Sequence, residues 1–106
     1  MDGIVVFITT SSSDEAKKIG EHLVREHLAA CVNIVDGMLS IFHWEGKLNT
    51  EYENLLIVKS VEKRLSALIK RVQTLHSYDV PEIIALPIIG GASDYLKWLQ
   101  SETESN

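Results

Sequence analysis

The chain has 106 residues, a formal net charge of −5 at pH 7, 45% hydrophobic and 24% charged residues. Such a composition suits one globular domain spanning residues 1–106 rather than a disordered chain, and the acidic balance argues against nucleic acid as a partner. No apolar run approaches the roughly 18 residues that span a bilayer, the opening Met1-Asp2-Gly3 is unlike a signal peptide, and the single Cys31 forbids an internal disulfide, so a cytoplasmic, membrane-free protein is expected.

Gly3 to Thr10 is a β-branched and aromatic run that reads as a buried strand. Ser11, Ser12 and Ser13, followed by Asp14 and Glu15, supply hydroxyl caps and then acids for the positive end of a helix. Ala16, Ile19, Gly20, Leu23, Val24, His27 and Leu28 keep the three-four spacing of one apolar helix face. Ala30 to Val35 and Met38 to Trp44 are strand-like, and Asp36-Gly37 between them is either a break or a bulge in one long strand. Glu45-Gly46-Lys47 suits a tight hairpin turn, with Leu55 to Lys59 as the returning strand. Ser60 is placed to cap a second helix, whose face is Leu65, Leu68, Ile69, Val72 and Leu75. Pro81 to Ile89 forms the last strand, Gly90-Gly91 breaks it, and a short helix follows from Ser93-Asp94 through Leu99. The tail from Ser101 to Asn106 is expected to fray.

The order β-α-β-β-α-β, with right-handed crossovers, gives an α+β, ferredoxin-like sandwich: a four-stranded antiparallel sheet, both helices on one face, and an added C-terminal helix. The strands IVVFI, LLIVK and EIIALPI are apolar on both sides, so both sheet faces need cover. The chain is too short to build a second layer, and other copies of itself are expected to supply it.

Four segments then carry a family resemblance in register: Ala29-Ala30-Cys31-Val32-Asn33-Ile34, Trp44-Glu45-Gly46-Lys47, His76 through Ile84, and Tyr95-Leu96-Lys97-Trp98-Leu99. Together they closely resemble the CutA family of divalent-cation tolerance proteins over nearly the whole chain. The resemblance implies a homotrimer similar in architecture to the PII signalling proteins; the residue pattern alone gives only an oligomer. It also implies a role in metal homeostasis, with Cu2+ or another divalent cation as the candidate cofactor. Some bacterial members have a cysteine at the end of the first strand and two adjacent histidines, but here Thr9 and Thr10 replace the cysteine, Leu75 the first histidine and Ser77 a following proline. Only His76 carries over as a metal candidate, and a lone imidazole is a poor transition-metal site.

The expected inter-subunit cleft set is Lys59, His76, Tyr78 and Glu82, with Trp44 either a packing anchor or a member of the set. His76 also has a plainer role, since at a helix C-terminus a protonated imidazole would complement the dipole. Glu82 opens an apolar strand and therefore needs a partner or water; an inter-subunit pair with Lys59 would both brace a trimer and line an anion-accepting cleft. Cys31 reads as a small core residue. His22 and His27 are five apart, off the spacing of a helical zinc pair.

Enzyme chemistry finds no purchase here. A copper-chaperone loop needs two cysteines, an acylphosphatase loop needs an arginine after the first strand, and an RNA-binding sheet needs exposed aromatics flanked by basic residues. No nucleophile triad, P-loop or dinucleotide loop is present. The expectation is a non-catalytic binding or signalling module. Its alternatives are a PII-like sensor of a small anionic metabolite and a trimeric scaffold for a partner protein.

Overall fold

The structure, a computed structural model, describes residues 2–104. Strand β1 (Gly3–Thr10) leads to helix α1 (Ser13–Arg25), the long strands β2 (Cys31–Trp44) and β3 (Lys47–Val61), helix α2 (Leu65–Leu75), the short strand β4 (Ile83–Pro87) and helix α3 (Ser93–Glu102). The sheet order is β2-β3-β1-β4, with every neighbouring pair antiparallel. This is the ferredoxin-like arrangement expected from the element order.

Alternation sorts β1 into two faces. Ile4, Val6 and Ile8 are buried beneath the helices, level with Ser60, Val58 and Leu56 on β3. Against them pack Ala16, Ile19 and Leu23 of α1 and Leu68 and Val72 of α2. Helix α1 sits so close to β2 that a Cβ on Gly20 would stand 3.3 Å from a Val32 methyl. Of the three serines, Ser12 is the cap: its hydroxyl accepts the Glu15 N–H at 3.1 Å.

Helix α1 ends earlier than its apolar spacing suggested. His27 adopts φ 59°, and the Leu28 N–H returns to the Leu23 carbonyl at 2.9 Å, the closing bond of a left-handed helix terminus. Leu28 still reaches the core, from beyond the helix.

Asp36-Gly37 is a bulge and not a break. The β2–β3 register shifts between Val35 and Met38, and Gly37 takes φ +71°, so β2 runs unbroken into the hairpin. Glu45 and Gly46 both have positive φ, the twist a two-residue hairpin turn requires. The hairpin projects beyond the helical layer, and the molecule reaches 44 Å in its longest dimension.

Ser60 does not cap α2. It is a fully buried strand residue whose hydroxyl donates to the Leu28 carbonyl at 2.6 Å, and α2 is entered through a 3-10 turn at Glu62–Arg64. The last strand is confined to Ile83–Pro87, shorter than the apolar run. The tail is also better held than expected. Ser101 and Glu102 belong to α3, and Thr103 is fully buried. The Thr103 carbonyl accepts Arg64 Nε at 2.7 Å and the Glu102 carbonyl accepts His27 Nδ1 at 2.9 Å. Ser105 and Asn106 lie outside the described residues.

The second face of the sheet is uncovered over much of its area. Val5, Phe7, Leu55 and Ile57 lie half-buried there, and Val35, Ile84 and Leu86 are 47%, 53% and 44% exposed. Helix α3 shields only one end, where Leu99 packs with Ala30, Val61 and Ile88.

Candidate functional site

At the other end of that open face, the hairpin and the loop 76–82 enclose a cleft of about 640 Å³. Register explains its composition. On the hairpin, Glu51 stands opposite Ser40 and Asn49 opposite Phe42, all on the face that turns towards the loop. Trp44 closes the hairpin end of the lining, and Tyr78, Asp79, Val80 and Glu82 close the loop end.

His76 organises the loop from behind. Its backbone N–H caps α2 by bonding the Val72 carbonyl. The ring is buried; Nε2 lies 2.7 Å from the Thr9 carbonyl and Nδ1 3.0 Å from the Tyr78 backbone nitrogen. A carbonyl only accepts and an amide N–H only donates, so the Nε2 proton donates to Thr9 and Nδ1 accepts from Tyr78. Both ring nitrogens are thereby engaged, leaving no lone pair for a metal. His76 thus fills the C-cap position by its backbone, while its ring ties the loop to β1 instead of facing the helix end. Glu15 steadies the same turn by accepting the Ser77 N–H at 2.7 Å.

Tyr78 packs its ring on His76, centroids 4.7 Å apart, and its phenol donates to Glu53 Oε2 at 2.9 Å. Burial, then the hydrogen bond and charge of Glu53, push the Tyr78 phenol up to about 12. The Glu82 carboxyl is raised above the usual carboxylate range, first by burial and then by the Glu53 charge. Four carboxylates, Glu51, Glu53, Asp79 and Glu82, line the cleft with no lysine or arginine among them.

Of the residues singled out in the sequence, Trp44, Tyr78 and Glu82 meet in this cleft, with His76 behind them. Lys59 stands elsewhere. It is level with Val5 and Cys31 on the neighbouring strands, and its ammonium donates to the Asn33 side-chain oxygen. Glu82 precedes Ile83, which pairs with Ile8 towards the other end of β1, so within one chain the two are not partners; the pair expected from the sequence is one between subunits. Glu53 was not foreseen, nor were Glu51 and Asp79. The signal was present in Glu51-Tyr52-Glu53, whose alternation puts both glutamates on one face. Among the described residues, no group of three or more His, Cys, Asp or Glu side chains is placed to hold a metal ion. No helix among the described residues is long and apolar enough to cross a membrane.

A ferredoxin-like α+β domain with an extended hairpin and an acidic, aromatic cleft at its base is the class these features define. The chain belongs to the CutA1 divalent ion tolerance protein family, whose family model matches residues 4–102. It is 48% identical over 99 residues to the divalent-cation tolerance protein CutA of Thermus thermophilus, covering 93% of this chain and 96% of that protein. It is 47% identical over 102 residues to the chloroplastic protein CutA of Arabidopsis thaliana, covering 96% of this chain but 56% of that one. The chain thus spans little more than half the length of its plant relatives. The crystal structure of CutA1 from Oryza sativa superposes with a TM-score of 0.96 at 46% identity, covering 100% of this chain and 97% of that one.

Proposed function

We propose that this chain is a non-catalytic, homotrimeric binding and signalling module in metal-ion homeostasis, cytoplasmic in location, and that the acidic cleft is its ligand site. The composition of the cleft carries this reading. Four carboxylates without a neighbouring basic side chain favour a cation and disfavour the anionic metabolite of a PII-like sensor. Relatives called divalent-cation tolerance proteins are consistent with a cationic ligand. Assembly is supported by the open apolar face, because monomers rarely leave so continuous a patch in water. The cleft adjoins that face, so a neighbouring subunit would help to close it. The trimeric number rests on the family resemblance.

Sedimentation equilibrium combined with calorimetric titration tests the reading. The protein should sediment at three times its 11.9 kDa chain mass, take up a cationic ligand saturably and ignore ATP. Saturable ATP uptake with no cation response would replace this reading with the anion sensor. Silence towards every ligand from a stable trimer would leave a scaffold for a partner protein.

A further inference from the structure

The lining of the cleft is not that of a bare metal site. Trp44, Phe42 and Tyr78 contribute aromatic surface, and Ile41 and Val80 contribute apolar surface, between the carboxylates. A divalent metal ion gains nothing from such walls and requires several oxygen ligands converging on one point. An organic ammonium group gains from both kinds of surface, through hydrogen bonds to carboxylates and attraction to aromatic faces. Glu53 adds a second indication. It is 7% exposed, and Tyr78 occupies only one of its oxygens; the other has no donor among the described residues. That second oxygen borders the cleft and is reached by solvent, so it is free to accept from a ligand's ammonium.

Glu51 and Glu53 lie two residues apart on one face of β3, roughly 6.5–7 Å along the strand. That is close to the separation of the two nitrogens in an extended four-carbon diamine. Resting on the reading of this cleft as the ligand site, we infer that its ligand is an aliphatic polyamine, held by Glu51, Glu53 and Glu82 with its methylene chain against Phe42 and Trp44. A bound ammonium also relieves the repulsion between Glu53 and Glu82, so binding should release protons in mildly acidic buffer.

The test uses the full chain carrying Trp98→Phe, which leaves Trp44 as the only tryptophan. It is titrated at matched ionic strength with spermidine, butane-1,4-diamine, Mg2+ and Cu2+, following fluorescence and heat. Spermidine should bind at one per chain and alter Trp44 emission. Glu51→Gln should weaken it on the order of tenfold, the scale of one charge-assisted hydrogen bond. Asp94→Asn, on α3 outside the cleft, should leave it unchanged. Spermidine binding that ignores Glu51→Gln overturns the inference. Silence from both amines while Cu2+ or Mg2+ saturates and shifts Trp44 also overturns it, but leaves the cation-binding reading intact. Silence from all four removes both.

Discussion

The Tyr78 phenol donates to Glu53 at 2.9 Å, fastening the loop after α2 to strand β3 across 25 residues of sequence. The acceptor is a largely buried carboxylate with no other donor among the described residues, so removing the hydroxyl leaves that oxygen without its hydrogen bond. Tyr78→Phe should therefore lower stability by about 1–2 kcal/mol in urea unfolding. Glu53→Gln should cost less, because its amide oxygen still accepts and the repulsion on Glu82 disappears. Equal stability of Tyr78→Phe and the parent would show the bond to be incidental. The same contact governs alkaline behaviour. Because the folded phenol sits near 12, its contribution is intact below the unfolded value of about 10 and is lost as pH rises through the folded one. Ultraviolet titration should show a late-ionising tyrosine that Tyr78→Phe removes.

Glu82 makes a prediction of opposite character. Burial and the Glu53 charge raise its carboxyl, so the folded chain keeps this proton to a higher pH than the unfolded chain does. Its contribution is complete below the unfolded value, about 4.3, and is lost as pH climbs through the folded one. Glu82→Gln imitates the protonated form. It should raise the melting temperature at about pH 7 and leave it unchanged at about pH 3.5. A variant less stable than the parent at neutral pH would show that the carboxylate has a compensating partner.

His76 tests whether the metal reading of that imidazole survives. Since the ring satisfies the Thr9 carbonyl and the Tyr78 N–H, His76→Ala orphans both groups and opens a cavity. Unfolding measurements should show a loss of about 2–4 kcal/mol. Copper titration of the folded variant should match the parent. A copper stoichiometry that falls by one per chain would overturn the hydrogen-bonded role.

The fold was readable because its signals are local. The apolar spacings of α1 and α2, the Glu45-Gly46 turn and the glycine at the bulge each act over a few residues. The misreadings arose where distant contacts decide the outcome. Ser60 looks like a helix cap until Leu28, brought in by the left-handed turn at His27, offers it a buried acceptor. The tail looks free until Arg64 and His27 reach its carbonyls. Tyr78 and Glu82 were recognisable as polar residues at the start of an apolar strand. Glu53 was not, because what sets it apart is a phenol arriving from another element. Lys59 and Glu82 lie at different levels of the sheet within one chain, Lys59 level with Val5 and Glu82 next to Ile83 opposite Ile8, so the pair expected of them is one between subunits.

The apolar face that remains open makes the last prediction. Leu86 lies on edge strand β4, level with Val5 and one strand removed from Lys59, and it is 44% exposed within a single chain. If a neighbouring subunit covers it, Leu86→Lys places an ammonium in an apolar contact at a cost of several kcal/mol. In an isolated chain the same lysine would extend into water at little cost. Sedimentation velocity should then show the variant at one chain mass while retaining native circular dichroism. Lys17→Glu, on the exposed side of α1, should stay assembled. A Leu86→Lys protein that still sediments as an oligomer would locate the interface elsewhere, and the cleft would then have to be complete within one chain.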